Sequence, residues 1–172
     1  MLTVAQGLPR GKRAAPFGET HALSTNFAAM HGLYLEDLKV GMWAMFGKTV
    51  TDADIMAFAG VSGDTNPIHL HDGFARSTRF ERRIAHGMLS ASFISAVIGT
   101  KLPGPGSIYV SQTLTFQAPV TIGDTVTAVC TITGIDDERR RVTLKTQCLK
   151  GDEVVVDGEA TVSVPRRTPR PK

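Results

Sequence analysis

Between residues 33 and 164 the period of the apolar positions changes repeatedly, and each change predicts an element. Regular patterning begins at Leu33-Tyr34-Leu35-Glu36-Asp37-Leu38 and Gly41, after which Met42 to Val50 reads as a strand rich in aromatic and apolar residues. Thr51 can cap a helix over Asp52 to Val61, where Asp52 and Asp54 suit the positive end of the helix dipole and Ile55, Met56, Phe58 and Ala59 supply apolar positions. Gly60 to Gly63 ends it. Asp64-Thr65-Asn66-Pro67 then reads as irregular loop, because Pro67 biases Asn66 away from helical backbone. A short polar helix is predicted around Asp72 to Thr78, followed by a loop through Phe80-Glu81-Arg82-Arg83.

The segment His86 to Leu102 departs from everything around it. It carries no charge from Gly87 to Thr100, and Met88, Leu89, Ala91, Phe93, Ile94, Ala96, Val97 and Ile98 leave no face strongly polar, so a helix buried nearly all round is expected. Four stretches rich in Val, Ile and Thr follow: Ser107 to Phe116, Thr125 to Ile135, Arg141 to Leu149 and Glu153 to Val164. Asp136-Asp137-Glu138 and Gly151-Asp152 are short enough for antiparallel hairpins, while Pro119 and Gly123-Asp124 predict a bend or bulge. Val126, Ala128, Cys130 and Ile132 alternate onto one face. A strand, helices, one apolar helix and four strands make an α+β chain: a curved antiparallel sheet wrapped round a long buried helix, the hot-dog architecture.

At 172 residues the chain suits one domain, and 42% apolar with 20% charged residues is the balance of a folded globular protein. Residues 32–165 are expected to form that domain. Residues 1–31 are expected to be a flexible arm, and 166–172, with Pro169, Pro171 and clustered Arg and Lys, a disordered basic tail. The net charge of +3 sits largely at the ends, which does not imply nucleic acid. The charge-free run is too short to span a bilayer. Cys130 and Cys148 form no CxxC pair and lie near no His at zinc-finger spacing; they fit a reducing compartment. The acid-poor N-terminus with Arg10, Lys12 and Arg13 lacks a clear amphipathic helix, so the cytoplasm is expected, with the mitochondrial matrix as alternative.

Two polar clusters flank the apolar helix: Ser62-Gly63-Asp64-Thr65-Asn66-Pro67-Ile68-His69 before it and Ala85-His86-Gly87-Met88 at its start. SGDTNPIHL, then RIAHGMLSASF, then LPGPGSIYVSQTLTFQAPVTIGDTV, resemble the MaoC-like dehydratase family and its (R)-specific enoyl-CoA hydratases, over about residues 35 to 164. The resemblance implies reversible hydration of a trans-2-enoyl-CoA to a (3R)-hydroxyacyl-CoA, with Asp64 and His69 holding and activating water and Ser95 on the apolar helix supporting the site. It also implies a homodimer, with coenzyme A as part of the substrate and no further cofactor.

The chemistry asks for such residues. Hydration of an enoyl thioester needs a base for water as oxygen attacks C3 and an acid to deliver a proton to C2. Imidazole exchanges protons near neutral pH, which makes His69 the main base and Asp64 the group that holds the water and relays the proton. Charge builds on the thioester oxygen, and the N–H of Gly87, opening a helix with no Cβ to shield it, is the expected oxyanion donor. Asn66, His86 and Ile98 are the expected substrate-binding residues: Asn66 shapes the loop, His86 positions a neighbour, and Ile98 walls the acyl chain. His69, His71 and Asp72 do not complete a ligand set with a separated His or Cys, so no metal is expected.

Other readings share these residues. A dehydratase for (3R)-hydroxyacyl-carrier-protein, or for a branched or dicarboxylic acyl-CoA, would use the same pair. Thioester hydrolysis usually places an acid or base on the buried helix, and Met88 to Thr100 has none. An acyl-thioester-binding or structural hot-dog subunit without catalysis is the non-enzyme alternative.

Overall fold

In the computed structural model, residues 30–167 are described. Residues 1–29 and 168–172, where most of the expected arm and tail fall, lie outside them. The elements are β1 (Trp43–Thr49), α1 (Asp52–Ser62), α2 (Pro67–Leu70), α3 (Asp72–Arg76), α4 (Gly87–Thr100), β2 (Ile108–Phe116), β3 (Thr125–Asp136), β4 (Arg141–Lys150) and β5 (Glu153–Ser163). The five strands form one antiparallel sheet in the order β1-β3-β4-β5-β2, and α4 packs on it, chiefly against β3 and β1. This is the expected α+β hot-dog arrangement.

Alternation explains the sheet. Val126, Ala128, Cys130 and Ile132 on β3 face inward with Val142, Leu144, Thr146 and Cys148 on β4, all at most 1% exposed. Leu89, Phe93, Ile94, Val97 and Ile98 of α4 cover them within one cluster. Thr146 is the polar member, and its hydroxyl accepts a hydrogen bond from Gln112 Nε2 at 3.0 Å. Gly158 lets β5 approach β2, since a side chain there would collide with the Thr113 carbonyl.

Three expectations need correction. The helix α4 is not buried all round: Met88, Ser92, Ser95 and Gly99, spaced four, three and four residues apart, form an exposed stripe of mostly small residues. Small uncharged side chains carry little polar signal, so the stripe is hidden in a hydropathy reading. The loop after Asn66 is partly regular, because Pro67 occupies a first-turn position that needs no N–H donor and Asn66 Oδ1 accepts from Ile68 N. Arg166 and Arg167 belong to the domain rather than to a tail. Arg166 pairs with Asp137 and Glu36, and Arg167 pairs with Asp37 and covers the Tyr34 ring. The start of the domain is tied down beside them through Leu35 N–H to the Pro165 carbonyl. Among the described residues no helix is long and apolar enough to cross a membrane.

Candidate active site

The site is built where α1 ends and α4 begins. Thr51 and Asp54 cap α1 reciprocally, and Gly63 ends it in the left-handed region at φ 77°, which favours glycine. The next residue, Asp64, is turned by local bonds: its N–H donates to Ser62 Oγ at 3.2 Å, and its Oδ1 accepts from Asn66 N at 3.2 Å. One turn of α2 then presents His69. Arg83 braces this corner by donating to Asp52 and Asp72, each at 2.8 Å.

His69 is oriented from behind. Its Nδ1 lies 2.8 Å from the Ile84 carbonyl, an acceptor, so Nδ1 carries the proton and Nε2 holds a free lone pair. That Nε2 is 4.0 Å from Asp64 Oδ2, too far for a direct hydrogen bond and a span that one water oxygen bridges at ordinary distances. The Asp64 side chain is 51% exposed and that of His69 10%. Burial, aided by the neighbouring His86, pushes the His69 pKa below its ordinary 6.5, against the Ile84 hydrogen bond and the Asp64 charge. The imidazole is therefore a neutral base at pH 7.

His86 holds the other side. At 1% exposure it places its ring 3.9 Å from that of His69 and 5.1 Å from Phe58, and Nε2–H donates to the Asp64 carbonyl at 2.9 Å. It thus positions the loop, and its Nδ1 is the buried side-chain nitrogen without a partner among the described residues. Gly87 follows as the first residue of α4, and among the described residues its N–H meets no acceptor. A Cβ there would come within 2.7 Å of the Phe116 ring, so a larger residue would have to displace that ring.

A cavity of about 350 Å³ joins these groups. Asp64, His69, His86 and Gly87 line it together. Apolar walls come from Ile84, Phe116, Val120 and Val156. The other expected site residues lie elsewhere. Ser95 is exposed on the α4 stripe, and buried Ser90, three residues after Gly87 and so on its face of the helix, lines the cavity instead. Ile98 is 1% exposed inside the core, about two turns beyond Ser90, the last residue of α4 to line the cavity. Asn66 is exposed and acts as the cap of α2 rather than as a lining residue. Phe116, Val156 and Arg79 carried no local signal, because only the folding of β2, β5 and the loop after α3 brings them here.

Ligand atoms of Asp64, His69 and His86 lie within 4.8 Å of one another, the composition of a possible cation site. His71 and Asp72 are engaged elsewhere: His71 Nδ1 caps α3 by accepting from Phe74 N, and Asp72 pairs with Arg83.

Fold and site together describe a hot-dog domain carrying a carboxylate and a neutral imidazole beside an open helix N-terminus. The chain belongs to the MaoC-like domain family, whose model matches residues 36–153. It is 58% identical over 134 residues, 78% of this chain and 93% of the other, to an (R)-specific enoyl-CoA hydratase of Rhodospirillum rubrum. It is 52% identical over 135 residues, 78% and 86% of the two chains, to a 3-hydroxybutyryl-CoA dehydratase of Methylorubrum extorquens. The structure of an (R)-hydratase from Aeromonas caviae involved in PHA biosynthesis superposes with a TM-score of 0.73 at 44% identity, covering 76% of this chain and 99% of that one.

Proposed function

We propose that this chain is an (R)-specific enoyl-CoA hydratase, adding water reversibly to trans-2-enoyl-CoA to give (3R)-hydroxyacyl-CoA. One observation carries the reading: His69 Nε2, freed by the bond from Nδ1–H to Ile84, faces Asp64 across 4.0 Å in the cavity that Gly87 also lines, with an N–H that meets no acceptor among the described residues. Water held between Asp64 and His69 gives a proton to Nε2 as its oxygen bonds to C3. The Gly87 N–H meets the charge that grows on the thioester oxygen, and the proton passes through the pair to C2. One O–H bond and the π bond between C2 and C3 break while C–O and C–H bonds form. Nothing is oxidised or reduced, so the step requires no nicotinamide or flavin, and the proton transfers require no metal.

The hydratase and dehydratase names of the R. rubrum and M. extorquens relatives describe the two directions of one equilibrium. The (R) configuration rests on the names of the R. rubrum and A. caviae proteins, and PHA biosynthesis, named for the latter, is a proposed destination of the product. A homodimer is proposed from the exposed edge strand β2, where Ile108, Tyr109 and Val110 remain 67%, 38% and 49% accessible in one chain. Two buried free thiols suit the cytoplasm. Loss of the enoyl absorbance of crotonyl-CoA, with chiral analysis of the product, tests the reading. Formation of (3R)-hydroxybutyryl-CoA supports it; release of free CoA, or the (3S) product, overturns it. Dialysis against a chelator is expected to leave the rate unchanged.

A further inference from the structure

From the end of α3 to the start of α4 the chain carries Arg76, Arg79, Arg82 and Arg83 against a single acid, Glu81. Arg83 is fully engaged with Asp52 and Asp72. Arg79 has no carboxylate partner among the described residues. Its guanidinium instead lies 4.7 Å from the centre of the Phe80 ring. Arg79 is exposed, yet both it and Phe80 line the cavity that holds Asp64, His69 and Gly87, which puts the cation on the cavity's open side. A guanidinium resting on an aromatic face keeps its N–H edge free, and that planar edge matches phosphate or carboxylate oxygens.

This inference rests on the hydratase reading, under which the substrate is a thioester of coenzyme A. Under that reading the reacting acyl carbons lie between Asp64, His69 and Gly87, so the pantetheine arm leaves by the open side, which Arg79 borders. We propose that Arg79, laid on Phe80, is a phosphate-binding residue for the CoA carrier, setting affinity for the carrier and not the rate of proton transfer. Arg76 and Arg82, also without carboxylate partners among the described residues, add to the positive field around it.

The test compares crotonyl-CoA with crotonyl-pantetheine, which lacks every phosphate, in the full chain and its Arg79→Gln variant. KM for crotonyl-CoA is expected to rise about fivefold at low salt, with kcat unchanged, and KM for crotonyl-pantetheine to stay the same. Arg79→Lys is expected to recover part of the loss, as a charge without the planar edge. Calorimetry of free CoA, 3′-dephospho-CoA and pantetheine reads the same contact without turnover. An Arg79→Gln loss that vanishes with dephospho-CoA places the contact on the 3′-phosphate; one that persists places it on the diphosphate. Equal CoA affinity in the two proteins, or equal weakening of pantetheine, overturns the proposal. A wild-type chain that turns over neither thioester sinks the hydration reading, and the calorimetric comparison still decides the role of Arg79.

Discussion

The first turn of α4 and the two turns that follow it meet opposite demands. Phe93, Ile94, Val97 and Ile98 sit at 5% exposure or less among other apolar side chains, where packing satisfies everything they present. At the first turn the fold leaves polar capacity unspent: the Gly87 amide, His86 Nδ1 and the His69 Nε2 lone pair all lack protein partners among the described residues. Of these atoms only His86 Nδ1 is fully buried, and a buried polar atom is ordinarily paired, so its position beside the open Gly87 amide and the His69 lone pair marks where a ligand completes the structure. The helix thus stabilises the domain along most of its length and reserves one end for chemistry.

Removing the reserved groups breaks this contrast most sharply. His69→Ala is expected to lower kcat by about 10³-fold, and Asp64→Asn by a similar order, as befits loss of a proton-transfer group. Thermal melts of Asp64→Asn should scarcely move, since that side chain is half exposed. A variant that keeps its full rate would remove Asp64 from the mechanism and favour a non-catalytic binder. The converse substitution is Ile94→Ala, which empties a site 1% exposed and should cost about 3 kcal/mol in denaturant titration. Turnover per folded molecule should survive it; a large fall in kcat would mean that core and site are not separable as described.

Smaller effects sharpen the comparison through titration. The His69 pKa lies below 6.5, so the base form persists as pH falls past that value, and the acid limb of kcat/KM should have its midpoint below 6.5. The stability sign agrees. An unfolded histidine binds protons more readily than this one, so its contribution is present above pH 6.5 and is lost as pH falls toward the folded pKa. A midpoint above 6.5 would refute burial as the dominant influence. In the core, burial pushes the Cys130 and Cys148 thiols up to about 12. Neither should react with a thiol reagent at pH 8 until the protein unfolds, when both should.

Much of the fold was legible because its signals are local. Alternation located β2 to β5 to within a residue or two, and the uncharged run located α4. The Asp64–His69 loop was legible because its residue types and spacing are unusual together, and the Gly87 amide because a helix start always frees donors. The errors share a cause. Choosing Ser95 over Ser90, or Ile98 over Phe116 and Val156, required knowing which side of α4 meets the cavity and which strand ends close it. A helical period relates residues to one another and not to a partner surface. Arg166 and Arg167 resemble a tail in the sequence because their partners Glu36, Asp37 and Asp137 lie far away along the chain.

The amino-acid order alone therefore determined the elements, their inward faces and the two chemically loaded clusters, since backbone propensity, side-chain period and turn chemistry act over a few neighbours. Tertiary structure decided what those clusters became. Only the closed fold brings the Ile84 carbonyl behind His69 to select its free nitrogen, anchors Asp64 through its carbonyl to His86, and sets Phe116 against Gly87. Each is a contact between distant parts of the chain, formed when burying the sheet's apolar face on α4 draws them together.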